Sequence, residues 1–139
     1  MSFKGDLLKI GQVASVSGIP IKTIRYYDEL GLLTPTILRN TSGYRLFRQS
    51  VFKRLSFIRR SQFLGLSLKE INNILNIYDQ GEIPCGVAKE LLLDKLNNIE
   101  QQIKNLEILQ SELQAILSGW QFAENLDDNI CPNIQKEAK

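Results

Sequence analysis

From Pro84 to about Leu117 the chain runs for 34 residues without a helix breaker except Gly86, which falls in the first turn. A helix of that length spans about 50 Å. Leu92, Leu96, Ile99, Ile103 and Leu106 recur with a 4-3-4-3 spacing, and Leu109, Leu113 and Ile116 resume it after an extra three-residue step. Apolar a and d positions flanked by Glu, Gln, Lys and Asn are the signature of a coiled coil, and the extra step is a local overwinding defect. One such helix cannot bury its stripe by itself, so the seam predicts a homodimer. The rival arrangement, a helix folded back on its own domain, fits poorly because the helix is too long for the small core available.

The 139 residues, 43% of them hydrophobic, suffice for one small core plus a long helix that needs a partner. The formal net charge of +2 conceals an asymmetry. Residues 1–65 carry 11 Lys and Arg against 3 Asp and Glu, a balance of +8, whereas residues 66–139 carry 6 against 12, a balance of −6. All seven arginines lie in the first half. That division suggests a basic nucleic-acid surface joined to a region with another job; the plainer reading is two solvated faces.

Met1 to Asp6 leads into a polar, helix-patterned segment unlike a signal peptide, and no stretch reaches the roughly 18 apolar residues of a membrane helix. A soluble, intracellular protein with no membrane partner and two reduced cysteines is expected. Histidine is absent, which removes the commonest general base and the commonest imidazole metal ligand. With no Gly-rich phosphate loop and no partnered nucleophile either, the chain does not read as an enzyme.

Lys9 to Val16 reads as a short helix with Ile10, Val13 and Ala14 on one side, and Ser17-Gly18 turns the chain into a second helix that opens at Pro20 and stops at Gly31. Ile24, Tyr27 and Leu30 form its inward stripe. Lys22, Thr23, Arg25, Tyr26 and Tyr27 suit phosphates and base edges, so this is a helix-turn-helix whose second member enters the major groove.

Ile37 to Phe47 contains two short extended runs separated by Asn40-Thr41-Ser42-Gly43, which predicts a hairpin. Arg39, Tyr44, Arg45 and Arg48 make it a basic wing; the alternative is a connector with solvated arginines. A third helix from a Ser50 cap to Leu64 carries apolar Phe52, Leu55 and Ile58 beside basic Lys53, Arg54, Arg59 and Arg60. Ser67 and Glu70 form a capping box for a fourth, which turns Leu68, Ile71, Ile74, Leu75 and Tyr78 inward. The fold class is mainly α: a winged helix-turn-helix domain over residues 1–82, a dimerisation helix over 83–118, and a C-terminal sensor loop and tail over 119–139.

These segments resemble the MerR family of bacterial transcription regulators, through LLKIGQVASVSGIPIKTIRYYDELGLL, SGYRLF, RRSQFLGLSLKEINNIL and a long helix that begins just after a cysteine. The resemblance implies a cytoplasmic dimer that binds double-stranded promoter DNA. There it acts with RNA polymerase by twisting and bending a spacer that holds the −10 and −35 elements too far apart. It places Lys22, Thr23, Arg25 and Tyr26 on the recognition surface, Tyr27 as the second of paired aromatics, and Tyr44 and Arg45 in the wing contacts. Neutralising several phosphates per subunit would make binding steeply salt-dependent.

The resemblance also implies a sensor. Cys85 and Cys131 match the first and last cysteines of the mercury-, lead- and cadmium-responsive members, but their third cysteine is missing and its place falls near Phe122. The copper-sensing layout, with two cysteines in the C-terminal loop, is not matched. Two thiolates, from opposite subunits in the family's geometry, could hold a soft ion such as Hg(II) or Cu(I), alone or with an oxygen from Glu124, Asp127 or Asp128. No cofactor is needed for folding. A disulfide between Cys85 and Cys131 across the dimer, or two inert cysteines in a ligand-independent regulator, are the competing readings. Beyond regulators, a coiled-coil adaptor would explain residues 84–117 but none of the arginines.

Overall fold

The computed structural model describes residues 7–136; the Met1–Asp6 segment, on which the signal-peptide reading rests, and the last three residues of the tail lie outside it. The described chain divides into two compact units, one up to Leu93 and one from Asp94 onward.

In the first unit, β1 (Leu8–Lys9) leads into α1 (Ile10–Ser17) and α2 (Ile21–Glu29), followed by a short 3-10 turn at Thr34–Thr36. Strands β2 (Ile37–Arg39) and β3 (Arg45–Phe47) precede α3 (Val51–Phe63) and α4 (Leu68–Asp79). Gly18, at φ +75°, ends α1 with its N–H on the Ala14 carbonyl at 2.9 Å, the left-handed stop that a side chain with a Cβ resists. The hairpin is as expected, but it is part of a three-stranded antiparallel sheet of order β1-β3-β2, with Leu8 opposite Phe47 and Ile37 also paired to Phe47. Two residues are too few to show any periodicity, so β1 has no local signal.

The core gathers Val13, Ile24, Leu32, Leu33, Phe47, Val51, Leu55, Ile58, Ile71 and Ile74, all essentially without solvent contact. Burial of each such side chain contributes about 1.5–3 kcal/mol. Leu30, expected on the inward stripe, is exposed because α2 ends at Glu29 and the core positions beyond the turn go to Leu32 and Leu33. Tyr78, expected inward on α4, is exposed in that helix's last turn.

Arg54, one of the four basic residues noted on the third helix, lies on its inner side. It is buried at 7% exposure, with Nη1 and Nη2 on the two carboxylate oxygens of Asp79 at 2.7 and 2.8 Å and Nε on the Leu32 carbonyl. A planar fork can satisfy both partners at once, and an ammonium could not.

Ser50 makes no side-chain cap on α3. Ser67 does cap α4: its Oγ accepts the Glu70 N–H at 3.1 Å, and a Glu70 carboxylate oxygen accepts the Ser67 N–H at 2.9 Å. Ser67→Ala is therefore expected to lower the unfolding free energy by about 1 kcal/mol, read from the midpoint of a urea titration. An unchanged midpoint would show that the cap contributes nothing.

Helix α5 (Cys85–Ser118) is continuous over 34 residues, and none of its residues is buried. Ala88 and Leu91, near its start, pack against the core of the first unit. In the second unit α5 is followed by an irregular tail and the four-residue α6 (Pro132–Gln135). No helix among the described residues is long and apolar enough to cross a membrane.

Candidate nucleic-acid interface

Helix α2 is amphipathic in an unusual sense: its inner side is Ile24 and Tyr27, and its outer side carries two cations and a phenol. Lys22, Arg25 and Tyr26 are all exposed, and their spacing of three and four residues puts them on one face, with Thr23 half-buried beside them. No acidic residue lies in the first turn of α2, so that outer face is uniformly cationic at its leading end.

Tyr27, predicted to face DNA as well as the core, serves only the core. It is 2% exposed, and its hydroxyl donates to the Gln62 side-chain oxygen at 2.7 Å, which ties α2 to the end of α3. Its position three residues after Ile24 already placed it inward. Gln62, 35 residues away, gave no sign of being its partner.

Tyr44 stands exposed beside the tip of the β2–β3 hairpin, and Arg48 is exposed just after β3. The tip is braced by Asn40, whose Oδ1 accepts the N–H groups of Ser42 at 2.9 Å and Tyr44 at 3.0 Å, while Gly43 takes φ +84°. Arg39 and Arg45 are only partly open to a ligand. Asp28, from the last turn of α2, accepts Arg39 Nη2 at 3.1 Å and Arg45 Nε through the same oxygen. Asp28 was not foreseen as part of the site, although it follows the paired tyrosines directly. An acidic residue in a basic segment was the available signal.

Cys85 is exposed at the start of α5 and belongs to the first unit; Cys131, partly exposed, precedes α6 in the second, and neither is in a disulfide. Around Cys131 the loop is closed by Asn133, whose Oδ1 accepts the Gln121 N–H at 3.0 Å and whose Nδ2 donates to the Gln121 carbonyl at 2.6 Å. The Cys131 backbone N–H donates to Gln135 Oε1 at 2.8 Å, and Asn133 Nδ2 lies 3.9 Å from the sulfur. The Ile134 N–H holds the Cys131 thiol below the ordinary thiol range against partial desolvation, helped by the Asn133 backbone and side-chain amides.

Among the described residues no group of three or more His, Cys, Asp or Glu comes together, and an Asp127 carboxylate oxygen accepts the Asn129 N–H at 2.8 Å. Phe122, at the place of the missing third cysteine, is exposed and offers no donor atom.

A helix-turn-helix with a cationic outer helix, followed by the basic β2–β3 hairpin as a wing, defines a winged helix-turn-helix DNA-binding protein. Residues 8–76 match the family described as MerR HTH family regulatory protein, and residues 52–116 match that described as MerR, DNA binding. The chain is 35% identical over 127 residues to the mercuric resistance operon regulatory protein of Bacillus cereus, covering 91% of this chain and 94% of that one.

Among solved structures, the transcription regulator PbrR691 from Ralstonia metallidurans CH34 in complex with lead(II) superposes with a TM-score of 0.72 at 28% identity, covering 89% of this chain and 94% of that one. HiNmlR, a MerR family regulator lacking the sensor domain and bound to promoter DNA, superposes with a TM-score of 0.54 at 27% identity, covering 81% and 88%. The chain belongs to the MerR family: it is a DNA-binding transcription regulator and not an enzyme.

Proposed function

We propose that the protein works as a cytoplasmic homodimer on an inverted-repeat promoter, together with RNA polymerase, by distorting a spacer that holds the −10 and −35 elements too far apart. The observation that carries this reading is the unpartnered stripe of α5. Seven seam residues from Leu92 to Leu113 are 40–63% exposed in the single chain, and only Ile116 is partly covered. A continuous row of half-exposed leucine and isoleucine along a long helix is the surface that a second copy covers.

Lys22, Thr23, Arg25 and Tyr26 then face the major groove, and Tyr44 and Arg48, with the free N–H groups of Arg39 and Arg45, face the backbone. Transcription reconstituted with polymerase tests the distortion: the protein activates a promoter with the long spacer and represses one whose spacer is shortened to the length that polymerase prefers. Equal activation at both lengths would overturn it.

Cys85 and Cys131 are proposed as the sensor. The mercuric resistance regulator and the lead(II) complex among the relatives point to a soft cation. The donor set here suits a linear site for Hg(II) or Cu(I), because such an ion takes two soft ligands and Cys85 and Cys131 supply two thiolates. A bound ion would supply a bridge between thiolates of opposite subunits and so fix the orientation of the two DNA-binding domains. The hydrogen bonds at Cys131 favour this chemistry, since its thiol stays ionised at lower pH than an ordinary one.

Cys85→Ser and Cys131→Ser are each expected to abolish the transcriptional response while leaving DNA affinity within about twofold, since neither side chain lies on α2 or the wing. A full response from the double variant would remove the sensor role. A response to a thiol oxidant in place of metal would assign these cysteines to disulfide chemistry instead.

A further inference from the structure

Strands β2 and β3 are in a register that sets Arg39 directly opposite Arg45. Like charges placed opposite each other destabilise a strand pair, yet here one carboxylate stands between them. The Asp28 side chain is only 9% exposed and takes both arginines on a single oxygen, leaving the Arg39 side chain 52% and the Arg45 side chain 25% exposed. Beyond this point the hairpin is stiffened by its own bonds: Asn40 Oδ1 binds two backbone N–H groups, and the Asn40 N–H reaches the Tyr44 carbonyl at 3.2 Å. The wing is thus a stiff finger, and both ion pairs it makes among the described residues end on the last turn of the recognition helix.

We propose that Asp28 is a specificity-determining positioning residue. It sets the angle of the wing to α2 and holds Arg39 and Arg45 back from indiscriminate phosphate capture, so that helix and wing engage fully only where both fit one duplex. The proposal rests on the reading that α2 and the wing meet the same DNA. A phosphate contact gives affinity without sequence information, and the register of the whole module is what such contacts fix. A carboxylate that restrains two wing cations therefore lowers binding to any DNA while preserving it at the correct site.

The test uses the full-length protein and two duplexes: one that the unaltered protein selects from a randomised pool, and a scrambled duplex of the same composition. Asp28→Asn keeps the side-chain shape and removes the charge. It is expected to raise affinity for the scrambled duplex about threefold at low salt and to steepen the salt dependence by about one phosphate per subunit. The ratio of selected to scrambled affinity should fall about tenfold. Asp28→Glu, which keeps the charge, should recover most of that ratio.

A purely structural role predicts something else: a lower melting temperature, both affinities reduced together and the salt slope unchanged. That pattern, or an unchanged ratio and slope, overturns the proposal. If the unaltered protein selected no duplex at all, the assignment of α2 and the wing to DNA would fall with it, an outcome that the two-duplex comparison separates from failure at Asp28 alone.

Discussion

Replacing Ile99 and Ile103 with glutamate is expected to yield a folded monomer whose affinity for an inverted repeat is lower by about 10²–10³-fold. Both side chains are half-exposed in the single chain, and neither belongs to the core cluster of the first unit, whose only α5 members are Ala88 and Leu91. The substitutions thus leave the DNA-binding unit intact. In a dimer they set four carboxylates into one apolar seam, where burial of unpaired charge costs more than the seam returns.

The loss in affinity comes from geometry and not from contacts. Two recognition helices held at a fixed spacing bind the second half-site as an intramolecular event, and separated ones do not. Binding to a single half-site should be unchanged. Sedimentation equilibrium and fluorescence anisotropy on the same samples read both results. A variant that stays dimeric would show that the seam is not the interface.

The second large effect is expected at Arg54 and Asp79. Asp79→Ala leaves a buried guanidinium with, among the described residues, only the Leu32 carbonyl as partner, and the expected cost is about 3 kcal/mol. That corresponds to a fall in melting temperature on the order of 10 °C. The pair joins the loop after α2 to the first turn of α3 and the end of α4, so its rupture loosens three elements at once.

Removing both charges is a different experiment. Arg54→Met with Asp79→Leu leaves no unpaired charge and is expected to retain most of the stability, because an apolar pair of similar volume replaces an ionic one at little net cost. Calorimetry of the two variants distinguishes the cases. If Asp79→Ala melts within about 2 °C of the unaltered protein, the ion pair is not what holds these elements together.

Residues that punctuate the chain made the helices readable in advance. Pro20 and Gly31 bracket α2, Gly65 follows α3, Ser67 with Glu70 opens α4, and the heptad spacing of leucines and isoleucines outlines α5. These are local signals, and the structure repeats them within one or two residues.

What was not legible depends on distant partners. Strand β1 exists because Leu8 finds Phe47, nearly forty residues on. Arg54 stood in the sequence only as one of four basic residues on its helix, although Val51, Arg54, Leu55 and Ile58 follow the inward helical spacing.

At the site the outer face of α2 could be read directly, since exposed cations on an amphipathic helix need only the period. Tyr27 obeyed the period as well, and assigning it also to DNA overlooked that one ring cannot face both ways. The Asp28 tether needed the register of β2 with β3 and the docking of the hairpin on α2, neither of which a linear pattern encodes.

Cys85 and Cys131 were visible from the start, but the hydrogen bonds that Asn133 makes to Gln121 around Cys131 depend on a loop closed over twelve residues. That closure is what separates the local setting of Cys131 from that of an ordinary tail residue.

Whether two chains act together on one operator is read from the stoichiometry of the DNA complex. The account predicts that the native mass of the full-length protein, saturated with a duplex carrying the selected inverted repeat, corresponds to two chains per duplex. It also predicts that a duplex with one half-site scrambled binds more weakly by at least about 10²-fold. One chain per duplex at saturation, or equal affinity for the single half-site and the full repeat, would contradict it.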